Sequence, residues 1–365
     1  MSQSPIRVLI VDDSVVVRQI ISDALKSDPG VEVVAVAQNG RVALEKIAEC
    51  KPDILTLDLE MPEMDGLTTL DELRKRHSRL PVVVFSTLTE RGAKAALDAL
   101  SRGASDYVCK PSGSRNVQAT MERIRSELLP KIRGLVRRTA APVRPSPAPS
   151  GSPGAAGAKG RGMPTERVDA VLIGVSTGGP SALAHVIPHL PKDLPVPVLV
   201  VQHMPPVFTQ VLAQRLNGTS QVRVREAVNR DRLEPGNVFI APGDYHMRIA
   251  GSPREGWITL DQTPAENGCR PAVDALFQSA SPVYGRNLLA LIMTGVGHDG
   301  TKGAKLIQRG GGTVWVQDEA TSTAWGMPSS VIEAGTAQRV LSLSQIARSI
   351  VEACNVGRTV TSRMP

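Results

Sequence analysis

A single stretch of 26 residues does most to limit how this chain folds. Residues 139–164, TAAPVRPSPAPSGSPGAAGAKGRGMP, are Ala, Pro, Gly or Ser at 20 positions and carry three positive charges and no acid. Such a segment has too little apolar surface to offset the entropy of ordering it. It reads as a linker, stiff where proline-rich and loose where glycine-rich. It divides the 365 residues into 1–138 and 165–365, each of a size that holds one core.

Both flanks alternate strand with helix. In the first, RVLIV, VEVVAVA, DILTLD, PVVVFS and DYVC read as strands, with helical periodicity over 14–27, 40–49, 66–77, 91–102 and 114–137. In the second, AVLIGV, VPVLVVQH, NLLALIMTG and GTVWVQ read as buried parallel strands, and residues 222–261 as an antiparallel excursion or hairpins. Aromatics are only 3% of an otherwise 41% apolar chain, so Val, Leu, Ile and Ala must build the cores, as in buried parallel sheets. The expected class is α/β, with two doubly wound, mainly parallel sheets and helices on both faces.

Several function classes are disfavoured. The four cysteines, Cys50, Cys109, Cys269 and Cys354, are scattered without C-x-x-C spacing, which argues against zinc sites and disulfide frameworks. No apolar leader opens the chain, and no window reaches the ~18 apolar residues of a membrane span. A cytoplasmic protein without membrane insertion is expected. The net charge is +7, with much of the excess at Arg123, Arg125, Lys131, Arg133, Arg137, Arg138, Arg144, Lys159 and Arg161. This reads as a solvated helix face running into the linker, with a partner-facing patch as the alternative. No helix-turn-helix, zinc finger or RNA-binding motif accompanies it, so no nucleic-acid partner is expected.

In doubly wound sheets, ligands bind beyond the carboxyl ends of the strands. In the first flank that edge collects Asp12 and Asp13, Asp58, Ser86 and Lys110. Three carboxylates so close require a counter-charge, and Mg²⁺ is the natural one. On spacing alone a bare metal site is possible, and nothing yet makes it a phosphorylation site. VLIVDDS, LTLDLEMPEMDG, VVVFSTLT and YVCKP, however, resemble in order the four signatures of response-regulator receiver domains, over residues 1–125. The resemblance implies a flavodoxin-like fold with Asp58 as phosphoacceptor. It implies Mg²⁺ held at Asp12, Asp13 and Asp58, and Ser86 and Lys110 on the phosphoryl group. Tyr107 falls at the aromatic switch position, and a histidine kinase would be the phosphodonor.

In the second flank, GVSTGG at 174–179 fits G-x-S-x-G, with a strand leading in and a helix leading out. The motif is weak by itself, but the setting suits a nucleophilic Ser176. A serine nucleophile needs a base and an orienter for that base. Ser176, His203 and Asp299 each follow a predicted parallel strand, so one sheet edge would gather them. Spacing leaves His246 and His298 open as bases, with Asp231 or Asp244 as acid, in the order of α/β-hydrolases.

IGVSTGGP, VQHMPPVFT, APGDYHM, RPAVDALFQS, TGVGHDG and WGMP resemble the catalytic domain of chemotaxis protein-glutamate methylesterases, over nearly all of 168–350. The order of receiver, linker and esterase is also that family's. The resemblance implies a three-layer α/β catalytic domain over 165–365, with Ser176 as nucleophile, His203 as general base and Asp299 as orienting acid. Thr177 and the Val296 backbone N–H fall at the oxyanion site, where Gly295-Val296-Gly297 stands for the family's usual G-M-G. Arg270 lies beside the cleft, a candidate either for steering acidic substrate segments or for a structural ion pair.

The implied activity is hydrolysis of glutamyl methyl esters, and deamidation of glutamines, on chemoreceptor helices. It needs no cofactor. The receiver would cover the cleft until Asp58 is phosphorylated, so removing 1–164 should raise basal activity. The rival readings are a receiver-regulated hydrolase of another substrate and a non-enzymatic binding module.

Overall fold

The computed structural model describes residues 4–77, 79–110, 117–140, 162–164 and 166–358. These form two compact units, treated separately below. Most of the expected linker, residues 141–161, lies outside the described residues, as do Pro111 and positions 114–116 of the helix expected from 114.

The first unit runs β1 (Ile6–Val11), α1 (Val15–Lys26), β2 (Val31–Ala37), α2 (Gly40–Cys50), β3 (Ile54–Asp58), α3 (Gly66–Arg76), β4 (Val82–Ser86), α4 (Glu90–Ser101), β5 (Asp106–Cys109) and α5 (Val117–Ala140). The strands pair in parallel in the order β2-β1-β3-β4-β5, the flavodoxin-like arrangement. Helices α1 to α4 each begin where a short polar side chain can take a free backbone N–H. Ser14 caps α1, Asn39 α2, Asp65 α3 and Thr89 α4. Successive strand residues point to opposite faces, yet β3 and β4 are buried throughout. That is why these segments read as unbroken apolar runs. Val8 and Ile10 of β1 pack with Ile21 and Leu25 of α1 and Ile124, Leu128 and Ile132 of α5.

Part of the basic stretch of α5 is engaged within this unit. Arg133 pairs with Asp28, Arg123 with Glu127, and Lys131 with Asp106 at 3.0 Å. Helix α5 continues to Ala140, two residues beyond the expected domain end.

The second unit runs β6 (Ala170–Val175), α6 (Gly179–Val186), β7 (Val198–Gln202), α7 (Phe208–Thr219), β8 (Arg223–Glu226), β9 (Asn237–Ile240), β10 (His246–Gly251), β11 (Gly256–Asp261), α8 (Val273–Tyr284), β12 (Leu288–Ile292), α9 (Thr301–Arg309), β13 (Thr313–Gln317), α10 (Gly326–Glu333), β14 (Arg339–Leu341) and α11 (Leu343–Cys354). Seven strands form one parallel sheet, ordered β14-β13-β12-β6-β7-β9-β8. On one face Ala170, Leu172, Leu199 and Ala290 meet Leu276 and Phe277 of α8, Ile307 of α9 and Val331 of α10. Helices α6, α7 and α11 contact one another away from that cluster, so the sheet is the middle of three layers.

The expectation for 222–261 is half corrected. Only β10 and β11 form an antiparallel hairpin, while β8 and β9 belong to the parallel sheet. The segment between β8 and β9 leaves the sheet to meet the hairpin, where Arg230 N donates to Ile258 O at 2.8 Å, and then returns. It is a crossover without a helix, so helical periodicity could not announce it. The hairpin in turn packs on α8, with the Ile249 N–H on Ser279 Oγ at 3.0 Å.

Candidate active site

Strand β6 lies between β7 and β12, and these three strands supply the three candidate residues. Ser176 follows β6, His203 follows β7, and Asp299 lies on the loop after β12. Backbone bonds join the three edges. Ser176 N donates to Thr294 O at 3.0 Å and His203 N donates to Val175 O at 3.1 Å. The Gln202 amide adds a bond that sequence reasoning missed, its Nε2 donating to Ser176 O at 2.9 Å and to His203 O at 3.2 Å. Gln202 is 2% exposed and binds the turn carrying the serine to the strand end carrying the histidine.

His203 Nε2 is 2.8 Å from Asp299 Oδ2. Asp299 is 2% exposed and held from several sides. Its Oδ2 also accepts the Val273 N–H at 2.6 Å. Its Oδ1 accepts from Asp274 N at 3.1 Å, Gly300 N at 2.9 Å and Asn267 Nδ2 at 2.8 Å. Two of these donors are free N–H groups of the first turn of α8, where a carboxylate is favoured. Burial works against the Asp299 charge, but His203 and the backbone donors outweigh it and hold the carboxyl at about 2. Burial likewise works against the His203 cation. The Asp299 carboxylate, with Cys269 Sγ 3.6 Å from Nδ1, outweighs it and lifts the imidazole to about 10.

Nδ1 is thus the ring nitrogen not engaged by Asp299. The structure brings His203 and Asp299 together. Among the described residues it shows no hydrogen bond between the Ser176 hydroxyl and His203, the looser arrangement common in resting sites.

The turn at Ser176 is braced from behind. Thr294 Oγ1 donates to Thr177 O at 2.8 Å, and Thr294 N donates to Gln317 Oε1 at 3.0 Å. Gly295 passes so close that a Cβ there would lie 2.9 Å from Ser176 Cβ and 2.3 Å from Met327 Sδ. Thr177 is buried, and the N–H of the next loop residue, Val296, has no partner among the described residues.

Of the other candidate bases, one is buried and bonded and the other is exposed. His246 is fully buried, with Nε2 3.1 Å from Pro264 O and Nδ1 accepting the Ala272 N–H at 3.3 Å. His298 is exposed. Asp231 is engaged by Arg225, and Asp244 by Arg270. Arg270 also donates to the carbonyls of Gln262 and Thr263 at 3.1 and 3.0 Å, so its guanidinium ties a turn to the end of the hairpin.

In the first unit, β1 delivers Asp12 and Asp13, β3 delivers Asp58, and their carboxylates offer atoms within 4.8 Å of one another. Lys110 Nζ is 2.6 Å from Asp58 Oδ2 and 3.3 Å from Asp12 Oδ2. These are charge contacts, and neither buried oxygen receives a well-directed hydrogen bond. Burial raises the Asp58 carboxyl against the pull of Lys110. Burial lowers Lys110, but Asp58 and Asp12 outweigh it and its pKa is raised. Under-coordinated carboxylate oxygens beside an exposed third carboxylate fit a hard cation such as Mg²⁺. Ser86 lines the same pocket, its hydroxyl donating to Gly92 O at 2.7 Å. Tyr107 is 4% exposed, and burial raises its hydroxyl well above the usual value.

Known protein families match both units. A family model described as CheB methylesterase matches residues 171–350, and one described as response regulator receiver domain matches residues 8–122. A protein-glutamate methylesterase/protein-glutamine glutaminase of a Nocardioides species is 48% identical over 349 residues, covering 95% of this chain and 94% of its own. One from Thermotoga maritima is 40% identical over 362 residues, covering 96% and 99%. The crystal structure of the Thermotoga maritima CheB methylesterase catalytic domain superposes with a TM-score of 0.50 at 44% identity, covering 51% of this chain and 99% of that one.

Proposed function

The chain belongs to the protein-glutamate methylesterase/protein-glutamine glutaminase family, and we propose from that premise that it is a phosphorylation-activated serine hydrolase of chemotaxis adaptation. Its substrates are glutamyl methyl esters and glutamines on the cytoplasmic helices of chemoreceptors. The protein acts in the cytoplasm, and its phosphodonor is a histidine kinase. The observation that carries the reading is the 2.8 Å His203–Asp299 pair on the sheet edge that also presents Ser176.

Ser176 Oγ attacks the ester carbonyl while His203 Nδ1, in the neutral ring, takes the hydroxyl proton. Asp299 at Nε2 stabilises the imidazolium that forms. The negative charge on the former carbonyl oxygen is met by the Val296 N–H, with Thr177 beside it. Collapse expels methoxide, which takes the proton from His203 and leaves as methanol. Water then gives a proton to His203 and attacks the acyl-serine. The serine is released and a glutamate carboxylate remains. With glutamine the leaving group is ammonia. None of these steps calls on a cofactor.

Control resides in the first unit. Asp58 accepts the phosphoryl group, Lys110 pairs with it, and Ser86 turns from Gly92 O to bond it. Asp12, Asp13 and Asp58 would hold Mg²⁺, which when bound neutralises the phosphoryl oxygens. Tyr107 is the residue whose packing responds.

Ser176→Ala should lower methanol release from a methylated receptor by at least about 10³-fold, with the fold retained. A variant releasing methanol at near wild-type rate overturns the assignment.

A further inference from the structure

A second buried carboxylate stands behind the catalytic pair. Asp274, in the first turn of α8, is fully buried. Its Oδ1 accepts the Gly303 N–H at 2.7 Å, and its Oδ2 accepts Asn267 Nδ2 at 2.9 Å. The same Asn267 nitrogen donates to Asp299 Oδ1 at 2.8 Å. Among the described residues, no other side chain bonds both carboxylates. Two buried carboxylates this close repel each other and resist joint ionisation unless donors stand between them. Burial raises Asp274, and the Asp299 charge adds to the rise, against the Gly303 and Asn267 bonds.

Asn267 also has a backbone reason to be where it is. Glu266 and Cys269 exchange backbone hydrogen bonds of 3.1 and 2.9 Å around Asn267 and Gly268, whose φ values are +52° and +76°. This is a two-residue hairpin turn of the kind Asn-Gly favours. The turn sets the Asn267 amide on Asp299 and Cys269 Sγ on His203, so both members of the pair are touched from one loop.

We infer that Asn267 is a positioning residue of the hydrolysis, its amide clamping the Asp299 carboxylate toward His203 by tying it to Asp274. This rests on the function proposed above. The clamp acts on the orienting acid and not on substrate, so kcat depends on it and KM does not.

The test separates the amide from the turn. Asn267→Gly keeps the left-handed backbone and removes the amide. Asn267→Asp keeps the turn and the shape but replaces the donor with an acceptor. Both should lower kcat by about 10²-fold with KM unchanged, the cost of a misplaced catalytic group. NMR titration of the His203 ring, which contacts Asp299 and Cys269, should show a lower midpoint in Asn267→Gly, because Asp299 holds its charge less firmly.

If Asn267→Gly matches wild type in kcat and in the His203 titration, Asn267 only makes the turn and the inference is wrong. Should Asn267→Gly fail to fold, Asn267→Asp decides alone: a wild-type kcat overturns the clamp and a loss in kcat supports it. If the wild-type protein releases no methanol, the functional reading fails by itself, and the titration still decides whether the clamp exists.

Discussion

In the proposed mechanism His203 must be neutral to accept the serine proton, yet its surroundings favour the cation up to about pH 10. Charge pairing and catalysis therefore oppose each other at this residue. The folded-state value lies above the ordinary 6.5, so the His203–Asp299 pair stabilises fully below about pH 6.5 and fades as pH rises through about 10. The neutral base becomes more abundant over the same range. Esterase kcat should climb with pH between these limits while the melting temperature falls. Removing the sulfur in Cys269→Ala should move the rising limb of kcat to lower pH. A limb that stays in place in this variant would mean that Cys269 does not act on the ring. Ser176, His203 and Asp299 could be read as residues following parallel strands, but spacing left His246 and His298 open as bases, and only the family resemblance chose among them. Cys269 and Asn267 were not, because nothing in ENGC shows that a tight turn will press Cys269 onto a histidine 66 positions earlier and Asn267 onto an aspartate 32 positions later.

At the scale of elements, the parallel strands were legible because burial on both faces leaves long apolar runs, and the starts of α1 to α4 and α11 because each carries a capping side chain. Strand β8 opens with an exposed arginine and β14 spans three residues, so neither has the unbroken apolar character that marks β6 or β12. Val207 lies outside any propensity rule. It adopts φ +72° before α7, a conformation unfavourable for a branched side chain, just after the strand end that carries His203. The β12 loop offers a sharper test of packing. In Gly295→Ala the new methyl would press on Ser176 and Met327 together, and the neighbours must move. The expected cost is about 1–3 kcal/mol in urea unfolding, with kcat falling as the serine shifts. An alanine variant with unchanged stability and rate would show that the loop has slack.

At the scale of the whole molecule, division into two folding units was plain from composition, but the place to cut was not. Residues 162–164, which look like linker, pack on the second unit. Trp315 Nε1 donates to Gly162 O at 2.7 Å, Arg339 Nη1 lies 2.8 Å from Met163 Sδ, and Pro164 is buried. A chain starting at residue 162 should therefore melt higher than one starting at 165. Where the receiver restrains the esterase, both should hydrolyse receptor esters faster than the unphosphorylated full-length protein. Equal or lower rates would remove restraint by the receiver from the account.

The central placement of β6 has a consequence for synthesis. The serine and histidine ends are made early, but the strand on the other side of β6 begins at Leu288 and its aspartate comes at 299. A ribosome that has passed His203 has produced Ser176 and His203 without Asp299 and with only two of the sheet's seven strands to lean on. On the proposed mechanism the emerging chain lacks its orienting acid for almost a hundred further residues. Fragments ending anywhere in that interval would occupy the cell as inert protein, unable to strip receptors of their methyl groups.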